Sequence, residues 1–295
     1  MRRTGVKKSV GIPLLEYAGR IINASLAEDI GTGDITTEAV VPKNLKGHGR
    51  IIAKEAFVLC GIVIAEKVFA TTGEDIKFRS LADDGDVVVK GQVLAAVSGN
   101  LRGILEGERL ALNFLQRLSG IATLTREFIK KTSGTHVKIL DTRKTTPMMR
   151  ILERYAVRTG GGVNHRFGLF DRVLIKDNHI KIAGGVKEAV GIVKRNYPKG
   201  IPIEIETKNT KEVKEALLSG VQTIMLDNMG LKEIKKAVGI IDGKTLVEVS
   251  GGVTLKNVGR IARTGADYIS VGALTHSARA VDISFEVERW NRNSR

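Results

Sequence analysis

The sequence predicts an α/β protein whose second half is a β/α barrel, and three observations support this prediction. From about residue 137, short β-rich runs alternate with amphipathic helical stretches, a pattern typical of a parallel sheet with helical crossovers. The last four runs end at Glu206, Asp227, Ser250 and Gly272, so successive ends are 21, 23 and 22 residues apart, about one strand plus one helix. Every run ends in a charged residue or a glycine turn, and the loops at these strand ends build the active sites of such barrels.

The predicted barrel contains six strands with helices between them. The strands are Val137–Leu140, Arg172–Ile175, Ile201–Thr207, Thr223–Leu226, Leu246–Val249 and Tyr268–Val271. The helices are Val186–Arg195, Lys211–Leu218, Leu231–Val238 and Leu255–Arg263. Polar turn residues are common in all proteins and explain any single strand end. They explain poorly why Lys176, Glu206 and Asp227 should all share one rim.

Residues 1 to about 118 have a less regular pattern, which mixes helical stretches with short strands. The segment Asp86–Val97 is predicted to form strand–turn–strand, with Lys90-Gly91 near the turn. Leu105–Leu124 is predicted to be a helix because its apolar residues recur at spacings of three and four. These residues are Ala111, Phe114, Leu115, Leu118 and Ala122.

The strongest compositional signal is a net charge of +15, from 47 basic and 32 acidic residues. Such a charge attracts nucleic acid, anionic membranes or anionic small substrates, and does not choose among them. Nucleic-acid-binding surfaces usually combine basic residues with exposed aromatic side chains. Aromatic residues make up only 4% of this chain and acidic residues are interspersed throughout, so we expect no nucleic-acid partner.

The single cysteine and the apolar segments argue against a disulfide, a zinc site and a membrane span. Cys60 lies in the apolar run Ala56–Ala65, where a buried structural thiol is expected rather than a nucleophile. The same run is the longest apolar stretch, and it is too short to cross a bilayer. No apolar stretch follows the basic segment Met1–Lys8, so we expect no signal peptide and a cytoplasmic location.

Residues 141–179 are rich in cationic side chains and form the predicted anion-binding part of an active site. Their eight basic residues are Arg143, Lys144, Arg150, Arg154, Arg158, Arg166, Arg172 and Lys176. Arg143 and Lys144 directly follow a predicted strand and therefore lie on the rim. Arg150, Arg154 and Arg158 share one face of a helix, where a solvated or interface position is expected.

Three glycine-containing turns offer backbone N–H groups to an anion. The loop Thr159–Arg166 contains three successive glycines, whose N–H groups can converge on an oxyanion. Ser250-Gly251-Gly252 precedes a helix and Gly272-Ala273 follows a strand, and donors at a helix N-terminus suit a phosphate. The sequence contains neither a Walker lysine motif nor Gly-x-Gly-x-x-Gly, so nucleotide hydrolysis and dinucleotide binding lose support.

Two carboxylates, Glu206 and Asp227, come from neighbouring strand ends. Such a pair can hold a divalent cation, act as acid and base, or accept hydrogen bonds from sugar hydroxyls. The many nearby cations favour the ionised forms, and therefore ribose or Mg²⁺ binding over a general-acid role. His165 and His179 can transfer protons or donate hydrogen bonds, but a histidine in a basic loop is more often an anion donor or a structural residue. A matching ligand carries several phosphates or carboxylates and a diol.

At three places the sequence closely resembles the quinolinate phosphoribosyltransferase family: Asp141–Pro147, Tyr155–Arg166 and Leu174–His179. Further matching motifs run along most of the chain in the order of that family. They are Glu28–Thr36, Gly107–Asn113, Met225–Asn228, Ser250–Gly252 and Ile269–His276. One departure is Met148-Met149, where the family pattern has a smaller residue and Leu, which leaves the basic positions untouched.

The resemblance implies a type II phosphoribosyltransferase fold, in which an incomplete β/α barrel is joined to an N-terminal α/β sandwich. The implied domains are residues 1–118, rejoined by the tail 277–295, and residues 119–276. The implied reaction uses Mg²⁺ and converts quinolinate and phosphoribosyl pyrophosphate to nicotinate mononucleotide, pyrophosphate and CO₂ in NAD biosynthesis. A homodimer is the implied minimum unit, with a hexamer as an alternative.

Family roles can be transferred to the matching positions. The resemblance implies that Lys144, Lys176, Glu206 and Asp227 are catalytic, with Glu206 and Asp227 near the metal. It places substrate binding at Arg109, Thr142, Arg143, Lys144, His165, Arg166, Lys176, Glu206, Asp227, Ser250, Gly251, Gly252, Val271, Gly272 and Ala273. Arg109 is expected to reach the barrel of a partner subunit.

Three alternatives remain open at this level. The chain could act on another acceptor, as nicotinate phosphoribosyltransferase or the related protein of molybdate-transport operons does, although many cations favour a dicarboxylate. It could be a basic nucleic-acid-binding protein, whose affinity would fall steeply with salt. It could also be a purely structural barrel, in which changing Arg143 would alter stability alone.

Overall fold

A computed structural model describes residues 14–197 and 200–289 of the 295-residue chain, and its contacts divide the chain into two compact units. Unit 1 contains the described residues up to Leu124, Thr146–Gly160, and those from Ala278 onward. Unit 2 contains Thr125–Thr145 and Gly161–Ser277. The basic segment Met1–Lys8 and the end of the predicted tail, residues 290–295, lie outside the described residues. The domain boundaries that the resemblance implies at residues 118 and 276 remain a prediction.

Unit 1 combines antiparallel strands with helices; elements of both units are numbered in chain order. The strands are β1 (Lys46–Ala53), β2 (Phe57–Val58), β3 (Lys77–Ser80), β4 (Val87–Val88), β5 (Val93–Asn100) and β12 (Ile283–Arg289). The helices are α1 (Leu14–Ile30), α2 (Ile35–Val40), α3 (Ile62–Thr72), α4 (Leu101–Lys131) and α5 (Arg150–Thr159). The boundary between the units falls inside α4.

Four strands of unit 1 form one sheet in the order β12-β1-β5-β3, with antiparallel neighbours. The segment Asp86–Val97 does form strand–turn–strand, and Gly91 in the turn has a φ of 85° that favours glycine. Its two strands, however, join different sheets. Strand β4 pairs with β2, whereas β5 pairs with β1 and β3. Strand identity was therefore predictable, and strand pairing was not.

The core of unit 1 is built around aromatic side chains on two layers. Phe69 on α3 is fully buried, and its ring lies 6.0 Å from that of Phe78 and 5.9 Å from that of Phe285. Burial of such a side chain contributes about 1.5–3 kcal/mol. Cys60 is also fully buried, and the hydroxyl of Ser119 bonds both its backbone N–H and its carbonyl oxygen. Cys60 is therefore a structural thiol, as predicted.

Helix α5 belongs to unit 1 although its sequence lies between two strands of unit 2. Its Glu153 is fully buried and accepts a bond from Arg117 Nη2 at 2.8 Å. The same carboxylate accepts hydrogen bonds from the backbone and hydroxyl of Thr146. Tyr155 donates to Asp84 at 2.6 Å. Leaving such a buried charge without its partner costs about 3–5 kcal/mol, so these contacts anchor α5 in this unit.

Unit 2 alternates strands and helices, as the sequence predicts. Its strands are β6 (Lys138–Leu140), β7 (Val173–Ile175), β8 (Ile203–Thr207), β9 (Thr223–Asp227), β10 (Leu246–Ser250) and β11 (Tyr268–Ser270). Its helices are α6 (Asp177–Ala183), α7 (Val186–Asn196), α8 (Thr210–Leu218), α9 (Leu231–Ile241), α10 (Val258–Ala262) and α11 (Ala273–His276).

The six strands of unit 2 form one parallel sheet in the order β6-β11-β10-β9-β8-β7, an incomplete β/α barrel. Each predicted barrel strand is confirmed to within two residues, and α10 is shorter than the predicted helix Leu255–Arg263. On β8, Ile203 and Ile205 alternate with Glu204 and Glu206, so the two glutamates share one face. Parallel register therefore brings every second residue of each strand toward one interior.

The described residues contain no candidate for a membrane span. Across residues 14–197 and 200–289, no helix combines the length and the apolar character that crossing a bilayer requires.

The close approach of α4 to the chain at Arg279 predicts a position-specific effect of one methyl group. A Cβ at Gly120 would overlap the carbonyl oxygen of Arg279, so Gly120→Ala must shift backbone and should cost about 1–3 kcal/mol. Gly239→Ala is the matched control on helix α9, where a Cβ meets no atom within 4 Å. That change should stabilise the protein by about 0.5–1 kcal/mol. Urea unfolding measures both, and equal effects would contradict the packing described for α4.

Candidate active site

Side chains from the strand ends of unit 2 line a cavity of about 560 Å³. Thirteen of the predicted site residues line it: Thr142, Arg143, Lys144, His165, Arg166, Lys176, Glu206, Asp227, Ser250, Gly251, Gly252, Gly272 and Ala273. Val271 is buried beside the cavity's glycine turn and does not line it. Arg109 lies in unit 1, on α4, and is exposed.

Seven further residues line the cavity and were not predicted as site residues from the sequence. They are Leu174, Met225, Asn228, Val253, Thr254, Ser270 and His276. Leu174, Met225 and Ser270 each precede a predicted rim residue by two positions. Strand alternation alone could therefore have identified these three. Asn228 and His276 lie on turns, and their positions depend on the folded backbone.

Asp141 organises the first wall of the cavity. It is fully buried at the end of β6, and its Oδ1 accepts the backbone N–H of His165 at 2.7 Å. Its Oδ2 accepts from Asn164 Nδ2 at 2.6 Å. The carboxylate thus holds the loop that carries Arg166 against the strand end that carries Arg143.

Several N–H groups of the glycine loop bond to other parts of unit 2, so these donors do not converge on an anion. Val163 donates to the carbonyl of Ile139 at 2.8 Å, in a short parallel pairing with β6. The N–H of His165 is held by Asp141, and that of Arg166 by His165 Nδ1 at 2.7 Å. The glycines permit the turn, and Gly161 has a φ of 96°. His165 and Arg166 are the residues of this loop that line the cavity.

Four cationic side chains lie around this cavity, from three segments of unit 2. Arg143 and Lys144 follow β6, Arg166 ends the glycine loop, and Lys176 follows β7. Burial and the nearby charge of Arg143 lower the pKa of the Arg166 guanidinium. The buried Nε of Arg143 has no hydrogen-bond partner among the described residues. A cavity of this kind favours an anion, which relieves the repulsion between the two guanidinium groups.

The two predicted carboxylates lie on the same rim, with different partners. Glu206 Oε1 accepts from Lys176 Nζ at 2.8 Å. Asp227 Oδ2 accepts from the side-chain amide of Asn228 at 2.9 Å. A further ion pair follows the same two strands, in which Lys208 Nζ donates to Asp177 Oδ2 at 3.0 Å. Each carboxylate of the cavity therefore keeps one oxygen that is not used by these bonds.

The turn after β10 depends on a close approach between two backbones. Asn228 has a φ of 54° and donates its N–H to the carbonyl of Ser250 at 2.9 Å. Gly251, with a φ of 90°, lies so close to Asn228 that a Cβ would overlap its side chain. The side chain of Asn257 closes the turn through bonds to Gly252 and Thr254. The turn is thus a narrow backbone surface suited to a phosphate.

Gly272, the second glycine turn of the cavity, lies next to the rim residue Lys144. A Cβ at Gly272 would lie 3.2 Å from Cδ of Lys144 and 3.1 Å from Nε2 of His276. The hydroxyl of Thr275 donates to the carbonyl of Lys144 at 2.8 Å. These contacts fix the path of Lys144 across the glycine turn.

His179 has a structural position in the described residues. Its Nδ1 accepts the backbone N–H of Lys176 at 2.9 Å and so caps the first turn of α6. It does not line the cavity that holds the other candidates. The structural interpretation of His179, which the sequence left open, is the one that the geometry supports.

Below the rim, His165 meets two buried glutamates that the sequence analysis missed. His165 Nε2 lies 3.3 Å from Glu204 Oε2 and 3.5 Å from Glu248 Oε1. The exposed fractions of these residues are 7%, 1% and 1%, respectively. Ser270 Oγ bonds Glu248 Oε1 at 2.5 Å, and Arg172 Nη1 lies 3.8 Å from Glu204. We call His165, Glu204 and Glu248 the interior cluster.

The protonation of His165 is constrained from both sides of the ring. Burial lowers its pKa, but the Glu204 and Glu248 carboxylates outweigh this effect and raise the pKa to about 9. A doubly protonated ring has no lone pair on Nδ1, whereas the N–H of Arg166 at 2.7 Å requires one. The backbone geometry therefore favours a neutral ring with its proton on Nε2.

Three comparisons place the chain beside known proteins. Residues 34–119 and 121–286 match the models of the N-terminal and C-terminal domains of quinolinate phosphoribosyl transferase. The chain is 44% identical over 286 residues to a probable nicotinate-nucleotide pyrophosphorylase (carboxylating) of Methanocaldococcus jannaschii, covering 94% of this chain and 99% of that protein. It is 42% identical over 287 residues to a mitochondrial quinolinate phosphoribosyltransferase (decarboxylating) of Nicotiana tabacum, covering 91% and 81%.

Solved structures give the same result. The nicotinate-nucleotide pyrophosphorylase of Ehrlichia chaffeensis superposes with a TM-score of 0.88 at 43% identity. The match covers 96% of this chain and all of that chain. Fold and sequence therefore agree across both units.

The buried carboxyl of Glu248 predicts a specific dependence of stability on pH. Burial raises its pKa from an ordinary 4.5 to about 7. Between these values the unfolded chain releases a proton that the folded chain keeps, so stability falls as pH rises. Glu248→Gln removes this titration. Relative to the variant, the wild type should therefore lose stability from about pH 4.5 to 7 and stay level above that range. Urea unfolding across this range tests the prediction, and parallel curves would contradict it.

Proposed function

The chain belongs to the quinolinate phosphoribosyltransferase family, and we propose that it transfers phosphoribosyl from phosphoribosyl pyrophosphate to quinolinate with loss of CO₂. The products are nicotinate mononucleotide, pyrophosphate and CO₂, in de novo NAD biosynthesis. One observation is the main chemical support for this reaction. A single cavity brings Arg143, Lys144, Arg166 and Lys176 together with the carboxylates of Glu206 and Asp227.

The acceptor fits the cationic wall of the cavity. Quinolinate carries two adjacent carboxylates, and each can pair with a guanidinium in a bidentate manner. Arg143 and Arg166 are the guanidinium groups on this wall, and Thr142 offers a hydroxyl beside them. An acceptor with one carboxylate would leave part of this charge unneutralised. The arrangement therefore favours quinolinate over nicotinate as the acceptor.

The sugar diphosphate fits the opposite wall. The 5′-phosphate would be bound by the turns Ser250–Gly252 and Val271–Ala273, with Val271 contributing backbone. Glu206 and Asp227 would accept hydrogen bonds from the ribose hydroxyls. Lys144 and Lys176 would face the diphosphate, where their charges neutralise the leaving group.

Mg²⁺ fits this wall as the metal that a diphosphate carries. Mg²⁺ prefers oxygen ligands and is usually held by one or two carboxylates plus substrate phosphates. Glu206 and Asp227 supply two carboxylates, and Lys176 already neutralises part of the charge on Glu206. When bound, Mg²⁺ would stabilise negative charge on the departing pyrophosphate.

Transfer needs electrostatic stabilisation rather than a protein nucleophile. Cleavage of the bond between ribose C1 and pyrophosphate builds positive charge on the ribose and negative charge on the leaving group. Lys144 and Lys176 stabilise the negative charge. Arg143 and Arg166 bind the carboxylates of quinolinate and thereby orient its pyridine nitrogen toward C1. The nitrogen lone pair forms the new bond as pyrophosphate leaves, so we expect no covalent intermediate with the protein.

Decarboxylation follows from the charge of the product ring. Once its nitrogen is quaternary, the ring accepts the electron pair left when the adjacent carboxylate departs as CO₂, and a proton then replaces that carboxylate. The protein mainly orients and desolvates the carboxylate before it leaves. The buried Arg166 and the half-buried Arg143 support such a role.

We further propose a homodimer in which each site is completed by the partner subunit's Arg109. Arg109 is exposed on α4 and is the one predicted substrate-binding residue in unit 1. Unit 2 carries an apolar groove of about 460 Å³ that borders the active-site cavity at Arg166. Its residues Leu169, Phe170 and Ile182 are 70%, 65% and 85% exposed. Exposed apolar surface of this kind is typical of an interface, and a second copy is the proposed occupant.

A hexamer built from such dimers is the alternative assembly. A cytoplasmic location is also part of this proposal, from the sequence alone.

Removal of the Arg143 guanidinium should abolish acceptor binding. Arg143→Ala should cost about 2–5 kcal/mol of binding, which raises the Kd for quinolinate at least about 30-fold. Arg195→Ala, on the exposed surface of α7, is the control and should bind as the wild type does. CO₂ release from carboxyl-labelled quinolinate, with and without phosphoribosyl pyrophosphate, reports turnover. No release by the pure wild type, or normal turnover by Arg143→Ala, would refute the proposed function.

A shared site predicts complementation between two inactive variants. Arg109→Ala and Arg143→Ala damage the two subunits' contributions separately, so a hybrid dimer keeps one intact site of two. Because random assembly makes about half of the dimers hybrid, the mixture should recover roughly a quarter of wild-type activity, and purified hybrids roughly half. Coexpressed Arg143→Ala and Arg166→Ala provide the control, because every barrel then carries a defect. Absence of recovery in hybrids verified by two-tag purification would disprove the shared site.

A further inference from the structure

The inference concerns the interior cluster and rests on the proposed function. His165 lines the cavity, and the family resemblance implies that it supports the acceptor carboxylates directly. The geometry of its ring nitrogens points to a different role.

Both ring nitrogens of His165 face protein groups. Nδ1 accepts the N–H of Arg166 at 2.7 Å. Nε2 is buried and faces Glu204 at 3.3 Å and Glu248 at 3.5 Å. A ligand in the cavity therefore meets ring carbon atoms and receives no hydrogen bond from this side chain.

The two glutamates select the tautomer that Arg166 requires. A proton on Nε2 lies beside the two carboxylates, at 3.3 and 3.5 Å from their nearest oxygens, and their negative charge favours it there, which leaves the Nδ1 lone pair for the backbone of Arg166. The opposite tautomer would set an N–H against the N–H of Arg166 and a lone pair against the carboxylates. Carboxylates that orient a histidine through its far nitrogen act in the same way in metal sites.

Arg166 is then held at three points. Its N–H is bound by the His165 ring, and the preceding N–H of His165 is bound by Asp141. Its guanidinium Nη1 donates to the carbonyl of Arg172 at 3.1 Å. Arg172 Nη1 itself lies 3.8 Å from Glu204 Oε2. The same glutamate is therefore close both to the His165 ring and to the residue whose carbonyl binds the Arg166 guanidinium.

We propose that Glu204 and Glu248 are positioning residues that act through His165 to hold Arg166 for the acceptor. Their effect should fall on quinolinate binding. It should spare phosphoribosyl pyrophosphate, because that substrate uses the opposite wall.

A metal ion is the competing occupant of the interior cluster. One ligand atom of each of the three residues lies within 4.8 Å of the others, close enough to hold a cation. Two observations favour a proton on His165 Nε2 over a metal ion. The Arg172 guanidinium already approaches Glu204, and Ser270 already bonds Glu248. A further divalent charge beside Arg172 would be repelled.

The test compares two substitutions at the same buried position. Glu248→Leu removes one of the two carboxylates that face Nε2, and the Kd for quinolinate should rise about tenfold. Glu248→Gln keeps an acceptor oxygen and should restore the Kd to within about twofold of wild type. The Kd for phosphoribosyl pyrophosphate should not change in either variant. Glu153→Gln, which alters an equally buried glutamate of unit 1, controls for general destabilisation and should leave quinolinate binding unchanged.

The tautomer is measured independently by ¹⁵N NMR of labelled histidine, assigned with His165→Asn. The wild type should show an unprotonated Nδ1 and a protonated Nε2 at neutral pH. A protonated Nδ1, unchanged quinolinate binding in Glu248→Leu, or one tightly held divalent metal per chain in the purified protein would overturn the inference. If the wild type binds no quinolinate, the proposed function fails, while the NMR and metal measurements still decide the state of the cluster.

Discussion

The alternation of side chains along parallel strands is the constraint on which the rest of unit 2 depends. On β8, Ile203 and Ile205 face the helices while Glu204 and Glu206 face the interior. The neighbouring strands follow the same alternation, and parallel register aligns their carboxyl ends at one rim. A shift of one residue in any strand would exchange apolar and charged faces, so the core and the active site are specified by the same pattern.

This constraint produces two layers of charge inside one barrel. The upper layer is Lys176, Glu206 and Asp227 on the rim, and the lower layer is the interior cluster. A cavity that binds dianions must hold cations close together before a ligand arrives, which is unfavourable in a partly buried site. Burial, and then repulsion from the charge of Arg143, lower the pKa of the Arg166 guanidinium. Glu204, approached by both His165 and Arg172, supplies negative charge from below.

The sequence predicts the strands and the rim well because both follow from local periodicity. It predicts poorly what depends on distant partners. Strands β4 and β5 are each recognisable, yet their pairing depends on β1 and β2, which local pattern does not specify. The glycine loop was expected to bind an anion through its amides, but the carboxylate of Asp141 accepts the N–H of His165 and the carbonyl of Ile139 accepts that of Val163. The alternation Ile-Glu-Ile-Glu in β8 was a readable signal for Glu204, which a search confined to strand ends overlooks.

The interior cluster also shows why stability and function need not agree within this barrel. Apolar residues of similar volume at 204 and 248 would avoid the desolvation of two carboxyl groups, and replacing buried charged groups in this way is often neutral or stabilising. The raised pKa of Glu248 shows that its ionised form is disfavoured where it lies. An apolar interior, however, would remove the carboxylates that favour a proton on Nε2 and leave only the N–H of Arg166 to select that tautomer. The two buried carboxyl groups therefore contribute to function rather than to stability. They favour the His165 tautomer whose Nδ1 can accept the backbone N–H of Arg166.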